Sequence, residues 1–172
     1  MKTVISLFLI GFCVVQAVQA QGKTGQKFGD WVVAESVDSM TDKRSCLVVN
    51  GKRPDVIYSE KDAFKIGSQR LGVVTAFRYR FGKYRPSEME LVPTGERVAI
   101  TVPVFVAEAL DAPTLRVSGT AVLTPAFEIE ISLRGLAQAR AAMAKRCGLD
   151  PLPQMSNAPD WARWQALPIE QN

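Results

Sequence analysis

Residues 127–148 read FEIEISLRGLAQARAAMAKRCG, and the hydrophobic period changes inside this stretch. From Phe127 to Ile131 apolar and acidic residues alternate, which puts Phe127, Ile129 and Ile131 on one side of an extended chain and Glu128 and Glu130 on the other. Beyond Ser132 the spacing becomes helical. Leu133, Leu136, Ala137, Arg140, Met143, Ala144 and Cys147 share one face, and all but Arg140 are apolar or small. Ser132 is expected to cap the start of the helix, and Gly148 with Pro151 to end it. A half-buried strand therefore runs into a helix that carries a cysteine on the core-facing side of its last turn.

Upstream of this junction the chain is short apolar runs punctuated by turn residues, a strand pattern. Strands are expected over Trp31–Ala34, Cys46–Asn50, Val56–Ser59, Val73–Phe81, Glu88–Val92, Arg97–Val102, Leu115–Ser118 and Phe127–Ile131. Gly51-Lys52-Arg53-Pro54, Pro93-Thr94-Gly95, Asp111-Ala112-Pro113 and Gly119 supply turns between them. Val104–Leu110 reads equally as a strand or as one helical turn. The pattern implies a mostly β fold, an antiparallel β-sandwich or barrel-like sheet with one C-terminal α-helix packed on it.

The two ends read differently from the middle. Met1-Lys2-Thr3, the apolar run Val4–Val15 and the small-residue close at Ala20 form a secretory signal, expected to be cut after Ala20. The apolar run is shorter than the roughly 20 residues that a membrane-crossing helix needs. Cys13 follows Phe12 within that run, an arrangement that does not suit lipidation. Residues 21–149 then form the β-rich domain, and no transmembrane segment is expected after cleavage. Residues 150–172 are a proline-rich tail in which Asp160 can cap a short helix bearing Trp161 and Trp164 on one face. This segment either docks on the domain or binds a partner.

Cleavage leaves two cysteines, Cys46 and Cys147. In an oxidising compartment such a pair most simply forms one disulfide, two buried free thiols being the alternative. The net charge of +4 is mild and unconcentrated, and no DNA-binding motif is present. The chain has no histidine, which removes the commonest general base and the Ser-His and Cys-His nucleophile pairs. With only two cysteines besides, no ordinary zinc site can be assembled, and no metal or cofactor is expected. Glu88 with Glu90, or Glu128 with Glu130, remain as carboxylate pairs for a histidine-free hydrolase, although their spacing on strands reads first as solvated sheet surface.

Arg78-Tyr79-Arg80-Phe81-Gly82-Lys83-Tyr84-Arg85 interleaves cations with aromatics. Such a run suits an anionic ligand, whether lipid headgroup, polysaccharide or single-stranded nucleic acid. The structural reading is a hairpin in which Arg78 and Arg80 pair across strands with Glu88 and Glu90, leaving Lys83, Tyr84 and Arg85 at the loop tip as a contact site.

Phe28-Gly29-Asp30-Trp31, then Asp42 and Cys46, and finally Ser132-Leu133-Arg134-Gly135-Leu136-Ala137-Gln138-Ala139 together resemble the bacterial invasion-associated locus B family of secreted proteins. The resemblance spans residues 28–147. Trp31, Asp42, Cys46 and Gly135-Leu136 through Cys147 are also similar to periplasmic accessory proteins associated with type VI secretion. Either resemblance implies a bacterial envelope or secreted protein without known catalysis, working through a protein partner in the envelope or on a host. Neither motif carries catalytic residues.

Overall fold

The strand expected over Trp31–Ala34 and the helix expected after Ser132 are both present in the computed structural model, which describes residues 25–67, 71–92 and 99–158. In chain order the strands are β1 (Gln26–Phe28), β2 (Trp31–Val37), β3 (Arg44–Asn50), β4 (Val56–Ser59), β5 (Ala63–Gly67), β6 (Val74–Phe81), β7 (Glu90–Leu91), β8 (Ala99–Pro103), β9 (Thr114–Ala121) and β10 (Phe127–Ser132). The helix α1 covers Leu136–Cys147, and short 3-10 turns cover Ala107–Asp111 and Met155–Asn157. In the segment Val104–Leu110, left open by the sequence, the first of these turns takes up Ala107–Leu110, while Val106 before it is extended. Among the described residues no helix is long and apolar enough to cross a membrane. The segment expected to be a signal, residues 1–20, lies outside the described residues, as do Pro93-Thr94-Gly95, Trp161 and Trp164.

All pairings are antiparallel, in a six-stranded sheet of order β1-β2-β3-β4-β5-β8 and a four-stranded sheet of order β10-β9-β6-β7. The fold is thus a β-sandwich with one helix, not a barrel. The core lies between the sheets. Trp31, Val33, Val48, Tyr58, Phe64, Ile66, Ile100 and Val102 point inward from the larger sheet, and Phe77, Tyr79, Phe81, Leu115, Val117, Ile129 and Ile131 from the smaller. Strand alternation makes this possible, because each inward residue is followed by one that faces solvent. Phe64 sits at the centre, with the rings of Trp31, Tyr58 and Phe81 at centroid distances of 5.1–6.0 Å.

α1 covers the β1–β3 end of the larger sheet. Cys147 in its last turn is bonded to Cys46 on β3, with the two Cα atoms 6.3 Å apart across 101 residues of sequence. Leu136, Ala139 and Met143 fill the space beneath it. Arg140 shares that face because it has a carboxylate partner, the half-buried Asp62. Its guanidinium donates from Nε to Asp62 Oδ1 at 3.1 Å, from Nη2 to Asp62 Oδ2 at 3.0 Å, and from Nη2 to the Asp150 carbonyl at 2.6 Å. Tyr58 Oη donates to the same carboxylate at 2.7 Å. Burial, and then the Asp62 carboxylate, push the Tyr58 phenol well above its ordinary range and keep it a donor.

Two sequence motifs meet where α1 begins. The Asp30 amide donates to the Arg134 carbonyl at 3.1 Å, and the Trp31 indole to the Ser132 carbonyl at 3.2 Å. Gly29 and Gly135 both take positive φ, +55° and +90°. A Cβ on Gly29 would run into the Arg134 carbonyl, and one on Gly135 into the Phe28 carbonyl. The two backbones touch, so only glycine fits at either place. This corrects the expected cap. Ser132 ends β10, and α1 starts from Gly135 in the left-handed region without a side-chain cap.

Gly119 is a second correction. It lies inside β9, opposite Phe77 on one side and Phe127 on the other, and is not a turn. The register of β6 against β9 slips between Val74 and Ala76, and there the Ala76 carbonyl occupies the space that a Cβ on residue 119 would need.

Candidate anion-binding face

The outer face of the four-stranded sheet is built from three neighbouring strands in register. Glu128 on β10 stands opposite Ser118 on β9, which stands opposite Arg78 on β6. The next outward row runs Glu130, Arg116, Arg80. Side chains two apart on a strand share a face, and neighbouring strands lie about 4.8 Å apart, so these six groups form a two-by-three array. Arg78, Arg80, Arg116, Ser118 and Glu128, with Pro86 from the edge loop, line a concavity of about 280 Å³.

Within the array the arginines are not equivalent. Arg116 donates from Nε to Glu130 Oε2 at 2.7 Å, with both side chains about half exposed. Such a pair contributes only about 0.2–1 kcal/mol to stability, so its main effect is to orient the guanidinium. Arg78 Nε lies 3.4 Å from Ser118 Oγ. Among the described residues neither Arg78 nor Arg80 has an acidic partner within ion-pair distance.

The pairing expected from sequence, Arg78 and Arg80 against Glu88 and Glu90, does not form. β7 pairs with β6 through Ala76↔Leu91 and Phe77↔Glu90 only. Glu90 therefore lies on the Phe77 side of the sheet, away from the arginines, where burial raises its carboxyl above the usual range. Glu88 is exposed. Glu128 and Glu130 stand on the opposite face of the sheet from Glu90, so the structure does not gather the four carboxylates in one place.

The loop beyond Phe81 also departs from expectation. Gly82 turns the chain at φ +48°, and the Tyr84 amide returns to the Phe81 carbonyl at 2.8 Å. Tyr84 packs against the core, with its hydroxyl 3.5 Å from the Glu108 carbonyl. Burial, and then the Glu108 carboxylate, raise its phenol. The Ser87 amide donates to the Tyr79 carbonyl at 2.7 Å, and the Tyr79 amide donates back to Ser87 Oγ at 2.9 Å, which holds the loop along the edge of β6. Of the predicted contact residues, Arg78 and Arg80 thus stand on the sheet face, Lys83 on the exposed turn, Tyr84 against the core, and Arg85 half-buried beside Pro86.

Arg116, Ser118 and Glu128 complete the site and were not among the residues singled out as binders. Arg116 and Ser118 share one face of a strand in Thr114–Ala121, a signal visible in the sequence, but β9 could be placed beside β6 only through a pairing some forty residues distant. A second concavity, about 450 Å³, lies between Leu110–Pro113 and Ser132–Gln138 beside the motif junction. Comparison of the chain with protein-family models, with curated proteins and with solved structures finds no match.

Proposed function

We propose that the chain is an exported, non-enzymatic binding protein of the bacterial envelope, periplasmic or secreted, that recognises an anionic partner through the outer face of its four-stranded sheet. The observation that carries this reading is the pair of arginines on β6, Arg78 and Arg80, with no carboxylate in ion-pair distance among the described residues and a third, Arg116, held beside them by Glu130. Guanidinium groups fixed on rigid strands retain less freedom to lose on binding than groups on a mobile loop, which favours recognition. Export is supported by the amino-terminal signal pattern and by the Cys46–Cys147 bond, a link that persists in oxidising compartments. The likeness of Phe28–Trp31 and Ser132–Ala139 to invasion-associated locus B proteins is in keeping with a role in contacts with a host or with an envelope assembly.

The test is retention of the mature chain on immobilised heparin as salt is raised. Replacing Arg78 and Arg80 together by glutamine should bring elution to lower salt and reduce the slope of log affinity against log salt by roughly one per arginine, as for other polyelectrolytes. Unchanged elution would remove this face as the recognition surface.

A further inference from the structure

We infer that the concavity bounded by Arg78, Arg80 and Arg116 is a subsite for a phosphate monoester bearing an ammonium group a few bonds from the phosphorus, with the phosphate on the guanidiniums and the ammonium on Glu128. This deepens the proposed function and rests on it.

The side-chain geometry sets the orientation. Arg116 uses its Nε on Glu130 and Arg78 holds its Nε against Ser118 Oγ, so each is tethered by the inner edge of its guanidinium. The terminal nitrogens of both remain for a ligand, and Arg80, opposite Arg116 in the register of β6 and β9, lines the same concavity. Planar guanidinium forks match phosphate oxygens in geometry and charge.

Charge narrows the class. Of the three arginines, Arg116 is offset by Glu130, which leaves Arg78 and Arg80 uncompensated. A phosphate monoester carries about −1.5 to −2 at neutral pH and matches two cations, whereas a carboxylate or a phosphodiester brings a single charge. Glu128 then selects within the dianions. It lines the same concavity, two strands from Arg78, and has no ion-pair partner among the described residues. A bare dianion is repelled by it, while a ligand with an ammonium group facing it gains a charge-assisted hydrogen bond. Counting Arg78, Arg80, Arg116, Glu128 and Glu130, the face carries one net positive charge, and an aminoalkyl phosphate near −1 is its complement. The volume of about 280 Å³ accommodates a group of this size with its hydrating water.

Calorimetric titration of the mature, oxidised protein at low salt with O-phosphorylethanolamine, inorganic phosphate and ethanolamine tests the assignment. The aminoalkyl phosphate should bind roughly tenfold tighter than inorganic phosphate, the worth of one charge-assisted hydrogen bond, and ethanolamine should not bind. Glu128→Gln should erase the preference by tightening inorganic phosphate, whose repulsion it removes, and weakening the aminoalkyl phosphate, whose ammonium loses its partner; Arg80→Gln should weaken both phosphates at least tenfold, with thermal melts confirming that these surface variants fold. Equal affinities in the unsubstituted protein, or a preference that survives Glu128→Gln, would overturn the proposal. Vesicles of phosphatidylethanolamine in phosphatidylcholine separate a lipid source from a free one, and binding to them in preference to the soluble monoester would also overturn it. If heparin retention still depends on Arg78 and Arg80 while no such preference appears, the subsite fails and the broader recognition face stands.

Discussion

Replacing Arg140 by methionine removes the one cation that α1 buries. The side chain is only 8% exposed and its partner Asp62 23% exposed, so the change strands a carboxylate with limited access to water. Breaking a buried pair from one side costs about 3–5 kcal/mol. Two features of the site favour the lower end, since Tyr58 still donates to Asp62 and part of the carboxylate can hydrate. Arg140→Met should therefore cost about 3 kcal/mol, a large share of the 5–15 kcal/mol typical of a domain. At about 2–4 °C per kcal/mol, the midpoint of thermal unfolding should fall by about 6–12 °C. Asp62→Asn should cost a similar amount by leaving the guanidinium uncompensated. Asparagine tolerates the +50° φ of that position and keeps an acceptor for Tyr58. The double variant should lose far less than the sum, because each single change harms mainly by orphaning the other partner. Guanidinium chloride unfolding of all four proteins with the disulfide intact gives the coupling, expected at about 2 kcal/mol or more. Single losses below about 1 kcal/mol that add within about 0.5 kcal/mol would refute the view that this pair fastens α1 to the β4–β5 turn.

Reduction of the disulfide, or Cys46→Ala with Cys147→Ala, should lower stability by up to about 4.7 kcal/mol, the chain-entropy value for a loop of about 100 residues; a shift in unfolding midpoint equivalent to less than about 1 kcal/mol would show that the crosslink adds little to packing already in place. Acid unfolding should depend on Asp30, whose carboxyl is held below the usual range first by the Lys52 ammonium, 2.9 Å away, and then by the Ser132 hydroxyl. Because the folded state binds this proton less readily, the associated stability is complete above the unfolded value near ~3.9 and is lost as pH falls through the lowered folded value. Stability profiles of the unsubstituted protein and Asp30→Asn should begin to converge below about pH 4 and meet only once the pH is under the lowered folded value, whereas parallel profiles would exclude the linkage.

What the sequence discloses follows from how local each determinant is. The β10–α1 junction was readable because period two and period 3.6 adjoin within one short stretch, and Cys147 lands where that reading puts it. The barrel alternative falls because the six- and four-stranded sheets each keep two edges. β5 was missed because its five residues follow a tight turn at Asp62 and carry only a brief alternation, and β1 because Gln26-Lys27-Phe28 has a single apolar residue. Gly119 read as a turn because glycine in a strand is rare unless another backbone comes close, and the close neighbour, Ala76, is remote in sequence. The face proposed to bind is half legible for the same reason. Arg78 and Arg80 were found on the correct side of β6, but their neighbours come from the β9–β10 hairpin, and no local pattern states which strand lies beside which.

The meeting of Phe28–Trp31 with Ser132–Gly135 explains why that sheet face is left for solvent. Both sheets need cover for one apolar side, and they supply it to each other, while α1 must close the remaining end of the larger sheet. To do so the chain leaves β10 at Ser132 and crosses directly to β1 and β2, a step possible only because Gly29 and Gly135 let the two backbones touch. The helix is thereby committed to the larger sheet, where Asp62, Cys46 and the packing of Leu136 and Met143 hold it. Nothing that follows β10 among the described residues returns over the outer side of β6, β9 and β10. The arginines there stand on the surface of a body held by three fastenings, one covalent, one ionic and one steric, none of which uses Arg78, Arg80, Arg116 or Glu128. Each fastening can therefore be tested without touching the face proposed to bind.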